Sequence, residues 1–235
     1  MVLTDDNYAS IVAAIEQGRV IYSNIRKFVY YLISCNMAEI LIIFLGTLIT
    51  GMSPLAAIQL LWLNLVTDGA PALALATEKG DPDIMNQPPR PTSEPIINKQ
   101  MRIGIVVQTL AITAATLGAY FIGLYSDPSH IEFAETMAFA TLSISELFRA
   151  FTSRSEFYPL LKIGIFTNKW MNYAVLSSLA MILLVIYVPF LNTIFKTLPL
   201  GWAQWLVIIP LLLVPSIAAE VTKAIQSRRS MVKQA

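Results

Sequence analysis

Three carboxylates, Glu39, Asp68 and Glu146, stand inside apolar stretches of membrane length, and they limit what this chain can fold into. A charge at the middle of a bilayer costs about 3 kcal/mol or more, so such a residue faces a protein interior or a watery cavity and marks an ion path. Their neighbours are amides, hydroxyls and small residues. Asn36 precedes Glu39 by one helical turn, and Asn64, Thr67 and Asp68 recur at helical spacing. Oxygen-bearing side chains on one face of two segments are the beginning of a cage for a hard cation.

The rest of the chain fits a bilayer. It is 56% hydrophobic and 13% charged, against about 25% charged residues in an ordinary soluble domain. A helix needs roughly 20 apolar residues to cross the hydrocarbon. Six segments approach that length: about Phe28–Leu48, Leu55–Ala76, Ile103–Tyr125, Phe133–Phe151, Trp170–Phe190 and Trp202–Ala219. The second is interrupted at Asp68-Gly69-Ala70-Pro71, and the fourth, which holds Glu146, is the weakest in hydropathy. Trp170, Tyr187, Trp202 and Trp205 fall near segment ends, where aromatic belts form. Of the 16 Lys and Arg, only Lys196 lies on the side opposite the rest. The positive-inside rule therefore predicts both termini in the cytoplasm, and the inner (plasma) membrane if the host is bacterial.

The fold class expected is all-α: a polytopic bundle of six transmembrane helices. The expected division is 1–27 as the end of a cytoplasmic unit and a stalk, 28–226 as the membrane domain, and 227–235 as a cytoplasmic tail. Met1–Leu3 reads as a short strand, followed by a helix capped by Asp6 or Asn7. The stretch Gly80–Asn98 is dense in proline and predicts a stiff, extended cytoplasmic loop; it serves either as a rigid spacer or as a docking surface. No basic stripe with interleaved aromatics is present, so nucleic acid is not an expected partner; the bilayer is.

The donor set narrows the ion. Calcium takes 6–8 oxygen ligands, whereas zinc and copper prefer thiolate and imidazole. His130 is the one histidine, in a predicted outer loop, and Cys35 is read as packing, pointing away from the Asn36–Glu39 face. Sodium remains chemically open, but three carboxylates favour a divalent ion. Without it, like charges and desolvation favour protonated forms, which is a basis for proton counter-transport. Simpler readings stand beside these. Asn36 could be interhelical glue, Pro71 could mark a packing kink, and Glu146 could pair with Arg149 one turn on.

The segments YLISCNMAE (Tyr31–Glu39), LLWLNLVTDGAPALAL (Leu60–Leu75), DPDIMNQPPR (Asp81–Arg90) and TMAFATLSISE (Thr136–Glu146) resemble P-type calcium-transporting ATPases of the sarco/endoplasmic reticulum type and their bacterial relatives. Met1–Arg19 looks like the end of the phosphorylation domain of such pumps, a remnant of an α/β unit. The resemblance implies that Asn36, Glu39, Asn64, Thr67, Asp68 and Glu146 hold the transported Ca2+, with Asp68 bridging two sites. It implies that the proline-rich loop touches the phosphorylation domain. The family's DKTG and TGE motifs do not occur in this chain. The resemblance therefore implies a C-terminal piece that does not hydrolyse ATP alone. ATP and Mg2+ would act only through an N-terminal part carrying the phosphorylation, nucleotide and actuator domains and four further spans. The competing expectations are a truncated fragment without transport of its own and a passive cation channel.

Overall fold

The computed structural model describes residues 7–89, 91, 94–127, 130–156 and 158–234, without the side chains of 227–234. The expected strand at Met1–Leu3 lies outside the described residues. Among them the regular elements are all helical. Helix α1 spans Tyr8–Thr50 in 43 residues, about 65 Å at 1.5 Å per residue. That is twice the hydrocarbon thickness, so the predicted stalk and first span are one unbroken rod. Asn7 caps it by accepting from the Ala9 amide at 3.0 Å. Gly51, at φ 74°, closes its far end in the left-handed region that glycine tolerates.

The second segment is divided. Helix α2 (Ala57–Trp62) opens into a π-helical turn (Leu63–Thr67), and helix α3 (Gly69–Ala76) follows. The interruption was expected at Asp68–Pro71 and falls one turn earlier. Pro71 lacks an N–H, but as the third residue of α3 it sits where an amide has no helical partner to lose. The slack moves into the wide turn, where the Asp68 amide bonds back to the Leu63 carbonyl at 2.9 Å.

Five more elements complete the set before the last helix: α4 (Lys99–Ser126), α5 (Ile131–Thr152), the short α6 (Leu160–Ile163), α7 (Lys169–Tyr187) and α8 (Pro189–Phe195). Helix α9 (Trp202–Gln234) carries Pro210 and Pro215 in its interior. The fifth segment ends three residues before its expected limit, because Pro189 starts a new short helix and restrains the residue ahead of it. Five stretches among the described residues are long and apolar enough to cross a membrane on length and composition. The α5 segment, expected as the fourth span, does not reach that hydropathy. Its residues Thr136–Leu147 are buried on every side. It packs against α1, the π turn, α3, α4, α7 and α9. A helix at the centre of a bundle meets protein all round, so its sequence need not read as lipid-facing.

Close approach at this centre depends on glycine. A Cβ on Gly123 of α4 would lie 2.8 Å from the Ala134 Cα of α5, whereas one on Gly118 would meet only Leu211 Cδ2 at 3.9 Å. Gly123→Ala is expected to cost about 1–3 kcal/mol, since backbone must yield. Gly118→Ala is expected to be neutral or to stabilise by up to about 1 kcal/mol through helix propensity. Thermal unfolding of the purified chain in one detergent measures the difference.

Candidate metal centre

The buried line of α1 runs through Tyr31, Cys35, Ala38 and Ile42, all fully enclosed. That spacing is one helix face, and Glu39 lies on its edge, 5% exposed. The line passes through Cys35 and leaves Asn36 beside it. Cys35 was expected to point away; instead its Sγ, one Asp68 carboxylate oxygen and one Glu146 carboxylate oxygen all lie within 4.8 Å of one another. Asn36 is half-buried and donates to the Leu32 carbonyl of its own helix at 2.8 Å.

The wide turn sets the second wall. It delivers Thr67 and Asp68 to the interior at 0% and 1% exposure, while Asn64, one turn earlier, is exposed. The Asn64 amide nevertheless reaches inward, donating to Glu39 Oε2 at 2.9 Å and Oε1 at 3.2 Å. Asp68 Oδ1 accepts from the Tyr31 hydroxyl at 2.9 Å. On the far side of the turn, the Ser178 hydroxyl of α7 donates to the Val66 carbonyl at 3.0 Å and holds the π geometry in place. Tyr31 and Ser178 carry these roles without a sequence signal beyond their positions on buried stripes.

The third wall is α5. Glu146 is fully buried, and both its oxygens lack a hydrogen-bond partner among the described residues. It does not pair with Arg149. That guanidinium donates to the Thr152 and Ser153 hydroxyls at 3.2 and 2.7 Å and lies 4.5 Å from the centre of the Tyr30 ring. Thr67 Oγ1, Asp68 Oδ2 and the Ser145 hydroxyl are likewise buried without partners among the described residues. A buried polar atom left unsatisfied costs about 1–3 kcal/mol, and more for a charged group. One oxygen of Asp68 and one of Glu146 lie within 4.8 Å of each other, and a hard cation could satisfy such a pair.

The structure thus brings Asp68 and Glu146 together with Cys35, pairs Glu39 with Asn64, and turns Asn36 back on its own helix. Residues 52–225 match the family described as cation transporting ATPase, C-terminus. The chain belongs to that family. This ATPase segment is 39% identical over 216 residues to a calcium-transporting ATPase of Bacillus subtilis, covering 92% of the chain and 24% of that protein. It is 37% identical over 237 residues to calcium-transporting ATPase 1 of Bacillus cereus, covering 95% of the chain and 27% of the relative. Against calcium-transporting ATPase type 2C member 1 of Homo sapiens the identity is 35% over 234 residues, covering 100% of the chain and 25% of the relative. The chain thus spans about a quarter of the length of the curated relatives it matches.

The ATPase segment folds its proline-rich stretch back onto α1. Arg19 donates to the Ile84 and Gln87 carbonyls at 2.8 and 2.7 Å, and Lys27 lies 3.9 Å from Asp81. Burial raises the Asp81 carboxyl above its ordinary range, and the Lys27 charge partly offsets the rise. No helix forms among the described residues between Asp81 and Asn98, as the proline density predicted.

Tyr31→Phe removes the sole donor to the Asp68 side chain among the described residues and is expected to lower the stability of the cation-free chain by about 1–3 kcal/mol. Thermal unfolding in a chelator, compared with Tyr30→Phe, measures it.

Proposed function

We propose that this chain is the ion-binding membrane part of an ATP-driven calcium pump. The observation that carries the reading is the buried approach of Asp68 and Glu146, from two separate segments, with Asp68 Oδ2 and both Glu146 oxygens unpartnered among the described residues. Glu39 with Asn64, and Thr67 in the wide turn, supply further oxygens at the same wall, and Asn36 stands one turn from Glu39. Calcium suits such a set of carboxylate, amide and hydroxyl oxygens. The relatives named above are calcium-transporting ATPases, which supports the same ion.

In this reading the energy comes from phosphorylation in an N-terminal part that holds ATP and Mg2+. The rod α1 carries the movement to Glu39 and to Tyr31, which holds Asp68. The π turn is the element that yields, since wide turns inside helices recur at functional sites. Protons take the cation's place on the return step, because neighbouring carboxylates resist being charged together. Both termini lie in the cytoplasm by the distribution of Lys and Arg, so the proline-rich loop meets the phosphorylation domain there.

The chain in lipid nanodiscs, dialysed against radioactive calcium, is expected to bind it saturably. Removing one buried charge from the set is worth about 3 kcal/mol, so Asp68→Asn should weaken binding about 100-fold. Glu146→Gln should do less, since in this reading Asp68 is the carboxylate shared between two sites and Glu146 serves one. Cys35→Ala should leave calcium binding as it is, because a thiol is a poor partner for a hard cation. Wild-type affinity in Asp68→Asn refutes the calcium cage. A loss of binding in Cys35→Ala would instead assign the site to a softer metal.

A further inference from the structure

Helix α3 is a short rod of 8 residues, about 12 Å long. Asp68 precedes its first residue, and Glu78 follows its last by two positions. The two ends are held in different ways. At the Asp68 end lies the π turn. At the Glu78 end lies a buried polar knot that the proposed transport chemistry does not use.

Glu78 and Arg154 form an ion pair whose side chains are 4% and 0% exposed. The pairing is two-pronged: Arg154 Nε donates to Glu78 Oε2 at 2.8 Å and Nη2 donates to Oε1 at 3.0 Å. Such a fork fixes orientation as well as distance. The remaining donors of Arg154 go to the Gly164 and Ile165 carbonyls at 2.8 and 2.7 Å and to the Thr167 hydroxyl at 2.6 Å. All the N–H groups a guanidinium offers are therefore spent. Asn168, which caps α7, donates to Glu78 Oε2 at 2.9 Å and to the Ala74 carbonyl at 3.3 Å. Asn24 of α1 donates to the Glu78 carbonyl at 2.6 Å and to the Ala76 carbonyl at 3.3 Å. The end of α3 is thereby tied to α1, to α7 and to the segment after α5.

We propose that Glu78 and Arg154 are positioning residues for the cation site: their knot fixes the height and rotation of α3, and so the place of Asp68 at its other end. This rests on Asp68 being a cation ligand. A rod clamped at one end and joined to a yielding turn at the other delivers its free end to one place. With the clamp broken, the π turn absorbs the rod's rotation and Asp68 leaves Glu146.

The test uses the chain in lipid nanodiscs with two readouts: calcium binding by dialysis and hydrogen exchange along the backbone. Glu78→Gln is expected to weaken calcium binding about tenfold with the number of ions bound unchanged. Exchange through Gly69–Ala76 should quicken about tenfold, while Ile112–Tyr120 of α4 keeps its rate. Gly123→Ala, which loosens the bundle elsewhere, should not weaken calcium binding. Unchanged calcium affinity in Glu78→Gln, or unchanged exchange in α3 with native helix content, overturns the proposal; so does an equal affinity loss in Gly123→Ala. Where Glu78→Gln does not fold, the double variant Glu78→Leu, Arg154→Met removes both charges and leaves none stranded. Wild-type exchange in α3 of that variant overturns the clamp, and quickened exchange supports it. If the wild-type chain binds no calcium, the cage reading fails, while exchange in α3 still decides whether the knot holds the rod.

Discussion

Carboxylates enclosed in an apolar bundle are costly unless something compensates them, and the rest of this structure is arranged around that cost. Tyr31 meets one oxygen of Asp68, and Asn64 meets both oxygens of Glu39. Glu146 and the second oxygen of Asp68 have no such partner. Burying polar groups this way opposes folding, so the surrounding packing must hold them. The enclosed stripe of α1 and the fully buried α5 do this.

The same constraint accounts for the divided second segment. A regular helix from Ala57 to Ala76 would satisfy its backbone internally and present Asn64, Thr67 and Asp68 as one narrow face. The wide turn spreads them, so that Asn64 reaches Glu39 while Asp68 reaches Tyr31 and the α5 side. Polar partners then secure both ends of the distortion, Ser178 at the turn and the Glu78–Arg154 fork beyond α3. A distortion held at both sides is a built feature and not a packing accident of Pro71.

Much of this was legible in the residues. The apolar lengths located the membrane-length segments within these helices, and proline placed the loop after α3, while the break before α8 was not foreseen. The carboxylates pointed to the three segments that wall the candidate site, because a charge in hydrocarbon is costly unless it faces protein. Three things were not legible. Cys35 and Asn36 are adjacent in sequence, and only the packing of α1 decides which of them lies on the buried line. Arg149 stands one turn from Glu146, a spacing that reads as a pair, yet it turns to Tyr30 and to hydroxyls. Glu78 and Arg154 are 76 positions apart, too far for any local pattern to join them.

The sequence by itself determined the class of the molecule, its helical segments and the hard-oxygen character of its buried groups. These follow from hydropathy, from the period of the helix and from the chemistry of side chains, all of which are local. Tertiary structure decided which oxygens share a volume, where the helix widens and which charges compensate one another. Those outcomes depend on the rotation of each helix about its axis, and that rotation is set by the neighbours it packs against.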